Sequence, residues 1–431
     1  MRLMDLRTAQ ALIRFGLGRR GEEPLPADPA VWLKDQLRNP DPTSPAATTE
    51  RALDALRFDR QNKPPPGERR GPVMYREDAR AALIAALTTP APFRERLVWF
   101  WTNHFTVSVR GGAAALCGAF VAEAVRPHVT GRFEDMLLAV MHHPAMLVYL
   151  NNAASVGPES RVGRRKNLGL NENLARECME LHTLTTAAGY TQADVTNFAR
   201  ILTGWSINLR ADPPGFMFRG FAHEPGSITL MGRSFPPGEE GGVEALRFLA
   251  NHPSTHRNLA KKLVQYFVTD TPSPADTGTI EAVLRDTGGN LGAAGATLVG
   301  LNAAWQPATK LREPQDYVIA GLRMLAPPED ALGQINVMGM LAGLGQPLWN
   351  APQPDGWPDR AANWAGPEEM MRRIDWSYGV AGRVGNRDPG AMAEANLGPL
   401  LRPATWTAVM RAGSRRDALT LLLTSPEFQR R

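Results

Sequence analysis

Residues 171–184, Asn-Glu-Asn-Leu-Ala-Arg-Glu-Cys-Met-Glu-Leu-His-Thr-Leu, hold the residue types in this chain best suited to chemistry. On a helix of about 3.6 residues per turn, Asn173, Glu177 and Glu180 fall at i, i+4 and i+7 as one polar stripe. Leu174, Cys178 and Leu181 form the apolar face beside it, and His182 follows Cys178 by one turn, near the edge of that face. Two carboxylates one turn apart can bind a cation, or divide into an acid and a base when their surroundings drive their pKa values apart. The plainer alternative is a solvated face, with Glu172 and Arg176 as an ordinary i, i+4 ion pair. A metal site fits less well, because Glu-x-x-Glu with one nearby His is a sparse ligand pattern.

Upstream, residues 98–105 pack four aromatics into eight positions. His104 lies one turn from Phe100 on a largely apolar face, where a histidine is more often a hydrogen-bonded core residue. Asn103 and His104 reach a site only if this helix packs against the one carrying Glu177. The candidate catalytic residues are therefore Glu177, Glu180, His104 and His182, with Asn103, Asn173 and Arg176 as candidate substrate contacts. Arg161, Arg164, Arg165 and Lys166 sit in a loop, 157–167, that leads to the Glu177 helix. Such a loop can bind an anion through side chains and free amides together, or simply be a solvated charge run. Gln353-Pro354-Asp355-Gly356-Trp357-Pro358 is a turn-rich loop with Trp349 and Trp364 nearby. Trp357, with Trp205, is the candidate platform for stacking on sugar rings; buried, such indoles simply close the core.

These residues need elements to hold them. Thr191 followed by Asp194 is a capping-box pattern opening a helix that buries Val195, Phe198 and Leu202. His142, His143, His252 and His256 lie at helix ends, and His223-Glu224 in a loop-rich insert. Apolar spacing at steps of three and four predicts helices over 6–16, 29–37, 76–105 with one break, 111–126, 132–142, 171–186 and 191–205. Further helices follow at 242–251, 254–268, 275–287, 291–302, 313–325, 331–344, 367–384 and 415–423. Short aromatic and β-branched runs within 206–235 predict a small hairpin or meander. Prolines at 40, 42, 45 and 64–66 make 39–72 a surface excursion, with a helix over 49–60. The fold class is mainly α, one large helical domain with a small β insert.

The 431 residues are 43% hydrophobic and 21% charged, which excludes a wholly disordered chain. Lys and Arg number 48 against 43 Asp and Glu, a formal +5 that is too small and too evenly spread to call for nucleic acid. Only six positions are lysine, so the cationic groups are nearly all guanidiniums, which fork onto carboxylate, phosphate or sulfate. Cys117 and Cys178 are too few for a disulfide framework or a zinc-thiolate fold. No run reaches the ~18 apolar residues of a membrane span. Residues 1–20 lack the order of an export signal, which implies a cytoplasmic protein unless it is exported bound to a partner.

With these residues in view, the chain resembles the bacterial family called domain of unknown function 1800. The likeness runs from Arg14-Phe15-Gly16-Leu17-Gly18 through Trp101-Thr102-Asn103-His104-Phe105 and His143-Pro144-Ala145-Met146-Leu147. It continues through 155–158, 171–184, 190–195, Leu202-Thr203-Gly204-Trp205, Ala260-Lys261-Lys262-Leu263 and Pro354-Asp355-Gly356-Trp357-Pro358. Thr185 stands where the family usually has Gly, and Cys178 where it usually has Leu. The resemblance implies a genome neighbour similar to exported alkaline-phosphatase and sulfatase-like proteins, hence a shared complex or pathway.

Three functions follow as expectations. One is a hydrolase or lyase using carboxylate acid/base chemistry on an anionic or carbohydrate polymer. Another is a non-catalytic helical scaffold for the phosphatase- or sulfatase-like neighbour, docked through the tryptophan loop. The last is a metal-bound oxidoreductase using His104, Glu177, Glu180 and His182. The cofactor is unknown at this level.

Overall fold

The computed structural model describes residues 4–166, 168–307, 309–383 and 387–431. Asn167 and Val384, where the predicted basic loop and one predicted helix end, and residues 1–3 of the N-terminal stretch lie outside them. Helices dominate, and the only strands among the described residues form two small antiparallel hairpins. β1 (Trp205–Asn208) pairs with β2 (Gly215–Phe218), and β3 (Ile228–Leu230) with β4 (Arg233–Phe235). The predicted meander is therefore two separate two-stranded units. Among the described residues no helix is long and apolar enough to cross a membrane.

Local chemistry explains most helix starts. Asp28, Thr48, Ser273, Asn290 and Ser414 each accept from a first-turn amide. The capping box of Thr191 and Asp194 is present, and the other Asp194 oxygen accepts from the Met231 amide at 2.7 Å, tying this helix to the β3–β4 turn. His143 and His252 cap their helices through Nδ1. The predicted helix over 111–126 is instead a series of short helical turns ending in a wide, π-type turn, Phe120–Val125. Gly111 and Gly112 take positive φ there and interrupt it. The segment 331–344 is likewise split, into Glu329–Leu332 and Val337–Gly343.

The apolar side chains gather in two clusters. The first holds Phe15, Phe93, Trp101, Phe105, Phe133, Phe198 and Phe267; the second holds Leu17, Leu83, Tyr317, Ile319, Leu341 and Leu422. The N-terminal segment joins them. Its wide turn, Ala11–Phe15, closed by the Gly16 amide on the Ala11 carbonyl at 2.9 Å, sends Ala11 and Phe15 to the first cluster and Ile13 to the second.

Between the clusters lies a hub of buried arginines. Arg96 grips Asp316 with two nitrogens at 2.8 and 3.1 Å, and Arg431 Nε adds a third contact at 3.0 Å. Arg14 donates to the carbonyls of Phe267 and Val268 and to the Thr309 hydroxyl. Burial alone would raise the Asp316 pKa; Arg96, Arg312 and Arg431 outweigh it and hold the group below its usual range. Many of the guanidiniums counted in the sequence thus serve the interior.

Candidate functional site

The Glu177 segment begins as a regular helix, Asn173–Glu177, and then opens into a wide, π-type turn, Cys178–His182. The Thr185 amide reaches back to the Met179 carbonyl at 3.0 Å, and the Thr183 hydroxyl takes the Cys178 carbonyl at 2.7 Å. A wide turn advances fewer degrees per residue than an α-helix, so Glu180 is rotated out of the straight stripe that α spacing gives. Helix-end carbonyls need partners, and here three successive ones find donors from elsewhere in the chain. Lys262 Nζ donates to the Leu181 carbonyl at 2.8 Å and Asn258 Nδ2 to that of Thr183 at 2.8 Å. His104 Nε2 takes the His182 carbonyl at 3.1 Å.

That pattern fixes the state of His104. To donate to a carbonyl, Nε2 must carry the proton, leaving Nδ1 as an acceptor that faces the Lys262 amine at 3.4 Å. Burial, and then the charge of Lys262, push the His104 pKa well below normal, so the ring is neutral. His182 is fully buried against Phe105, its two ring nitrogens without hydrogen-bond partners, and burial lowers its pKa to about 3. Both histidines belong to the dry interior under the turn.

The carboxylates differ. Glu177 and Glu180 are partly exposed. The Glu177 pKa is raised by partial burial first and by the neighbouring charge of Glu180 next, with Asp355 adding to it. Arg176 opposes that rise, but its guanidinium is drawn to Glu172 at 2.8 Å and to Gln192 at 3.2 Å. Tyr149 and Tyr190 flank the acids; burial, then Glu177 for the one and Glu180 for the other, raises their pKa values. Lys262 shares Asp355 with Glu177 as a charged neighbour. Burial lowers its amine to about 8, against which Asp359 and Asp355 work only in part.

Asp355 reaches this place because its loop is pinned to the His104 helix. Asn103 Oδ1 accepts from the Trp357 amide at 2.7 Å, and its Nδ2 donates to the Trp357 carbonyl at 2.8 Å. Gly356, at φ +82°, lies so close that a Cβ would meet Asn103 oxygens at 2.6 Å. Asn103 is thus occupied as a loop clasp.

The sequence profile of the family described as "Protein of unknown function (DUF1800)" matches residues 10–430. The chain belongs to this family. No curated protein and no solved structure matches it.

Other sequence candidates of this DUF1800 chain lie apart. Trp205 is fully buried, stacked on His142 at 4.1 Å, and has no face for a ligand. Arg176 braces two helices through Glu172, Gln192 and Thr196, the i, i+4 pair extended by one helix. Arg161, Arg164 and Arg165 are exposed on a short helix, Arg161–Lys166, that packs on the Gly220–Ala222 turn; Arg164 pairs with Glu159 at 2.7 Å. Asn173 is exposed at the helix start. Trp357 is partly exposed, 6.2 Å from the Trp364 ring. Among the described residues no three His, Cys, Asp or Glu side chains group to hold a metal ion.

Sequence reasoning missed Lys262, Asp355 and the two tyrosines. The first two lay inside motifs singled out for other reasons, Ala260-Lys261-Lys262-Leu263 and Pro354–Pro358.

Proposed function

We propose that this DUF1800 protein is a hydrolase that cleaves glycosidic bonds of a carbohydrate polymer, with Glu177 as acid and Glu180 as base. The observation that carries this reading is the Glu177 carboxyl. Half-buried beside two other acids, and with Arg176 engaged elsewhere, it keeps its proton to higher pH than a solvated glutamate. A general acid needs that property, and a second carboxylate to take the proton of the attacking water completes the usual pair. The acidic surroundings repel a polyanion, and the basic helix packs elsewhere, so a neutral substrate suits the site better than a uronate or sulfated one. Glu177→Gln lowers the release of reducing ends from neutral polysaccharides by about 10²–10⁴-fold while thermal unfolding stays unchanged. Undiminished activity in that variant, or no turnover of any neutral polysaccharide by the unaltered protein, ends this reading.

A second reading, a scaffold for the phosphatase- or sulfatase-like neighbour, draws on a different place. Met371, Ile374 and Tyr378 stand 56%, 41% and 46% exposed at helical spacing along Pro367–Ala381, an apolar stripe suited to a partner. If that reading holds, co-purification with the neighbour is lost in Ile374→Glu and kept in Glu177→Gln.

A further inference from the structure

Next to the clasped loop, on the flank of the Pro92–His104 helix, a narrow crevice of about 70 Å³ opens to solvent. Three indoles line it: Trp99 from the helix, and Trp349 and Trp357 from the loop. A second crevice, about 280 Å³, is walled by residues 43–47 of the proline-rich excursion and by Asp78. The two share Arg126 and Trp349, so they read as one groove with two lobes.

Three features of this groove have no account in packing. Trp349 takes a left-handed backbone, φ +52°, which costs a bulky residue free energy. The Val109 amide holds it there through the Trp349 carbonyl at 2.9 Å, and the Tyr75 hydroxyl through that of Leu348 at 2.8 Å. The Thr102 hydroxyl on the crevice wall is shielded and without a hydrogen-bond partner, as is Arg126 Nε. The floor is charge-balanced. Arg126 binds Glu95 at 2.7 and 3.0 Å and Asp41 at 3.2 Å, while Arg94 approaches Asp41 at 3.5 Å. Two cations are thus spent on two carboxylates, leaving nothing to attract an anion.

Flat apolar faces beside unengaged donors and a buried carboxylate suit one kind of molecule, a ring with one hydrocarbon face and hydroxyls on its rim. We propose that this groove binds a neutral oligosaccharide, its rings stacked on Trp99, Trp349 and Trp357 and its hydroxyls met by Thr102 and the Glu95–Arg126 pair. The proposal rests on the carbohydrate part of the proposed function. It adds Trp99, Thr102, Trp349, Glu95 and Arg126 to that reading, and Trp357 bridges the groove and the loop that carries Asp355.

The test is binding, so that it stands apart from turnover. Tryptophan fluorescence and titration calorimetry of the full chain are recorded with cello-, chito-, malto- and xylo-hexaose, and with oligogalacturonate and free indole as contrasts. At least one neutral hexaose binds saturably. Thr102→Val, which keeps shape and stacking faces, weakens that binding about two- to tenfold, and Trp99→Ala about tenfold or more. If Trp99→Ala fails to fold, Thr102→Val carries the comparison. Failure of every neutral hexaose to bind, binding of oligogalacturonate or indole alone, or binding indifferent to the tested variants overturns the proposal. Binding without turnover counts against the hydrolase reading and leaves the groove; turnover without groove-dependent binding does the reverse.

Discussion

Two of the charge clusters in this chain are built on opposite plans. Around Asp316 the charges are matched by contact: the guanidiniums of Arg96 and Arg431, far apart in sequence, close on one carboxylate with every contact near 3 Å, and Arg312 adds its charge. Under the Glu177 turn they are mismatched. Acids adjoin acids, and an amine meets a carbonyl and a neutral imidazole, with two aspartates acting on it only from a distance. A matched cluster holds its groups in the ionised states they have in water and so serves architecture. A mismatched one moves both an acid and a base toward neutral pH, which is what proton transfer requires.

The sharpest way to break that contrast is at its matched end. Asp316→Asn takes from Arg96 and Arg431 the carboxylate they contact directly and from Arg312 its opposing charge, and is expected to cost about 3–5 kcal/mol in chemical denaturation. A loss below ~1 kcal/mol would show that the arginines are held by their carbonyl contacts and that the match is incidental.

The mismatched end should respond differently. Lys262→Met removes a charge that burial opposes, along with one bond to the Leu181 carbonyl, so stability at pH 7 should change by no more than about 1 kcal/mol. Its pH dependence gives the clearer signal. The Lys262 pKa is lowered in the fold from 10.5 to about 8, so between those values the unfolded chain holds more proton than the folded one. Stability therefore rises with pH across that window in the unaltered protein, and that rise is absent from Lys262→Met. An identical rise in both proteins would place its origin in other groups.

Sequence and structure agree where local rules decide the outcome. The mainly helical class with a small β insert, the Thr191–Asp194 box and the Glu172–Arg176 pair all follow from residues within one turn or one hairpin of each other. The misses share a cause. Nothing in the apolar periodicity of residues 171–184 marks a wide turn, because one extra residue per turn still buries Leu174, Cys178 and His182. Once that turn forms, the need to satisfy Leu181, His182 and Thr183 carbonyls draws in Lys262, His104 and Asn258 from 75–81 residues away in sequence. His104 sits beside the acidic segment, with its ring held on the His182 carbonyl. Asn103 and Trp205 likewise carry polar or aromatic groups that long-range packing consumes, and no spacing rule reports that. The arginine excess pointed to forked ion pairs, and the largest fork closes inside the protein, on Asp316.

The smallest expected effect probes the acids themselves. The like charge of Glu180 helps hold the proton on Glu177, so Glu180→Gln lowers the Glu177 pKa. If Glu177 is the acid, activity is lost as pH rises past its pKa, and the alkaline limb of kcat/KM in the variant moves to lower pH. A Coulomb interaction between partly exposed carboxylates is worth about 0.5–1 kcal/mol, a displacement of about half a pH unit. Because Glu180 is also the proposed base, kcat falls in the same variant, and the position of the limb, independent of its height, isolates the electrostatic effect. A limb that stays in place while kcat falls would separate Glu180 from Glu177 electrostatically, and the pairing that distinguishes this cluster from the Asp316 hub would be lost.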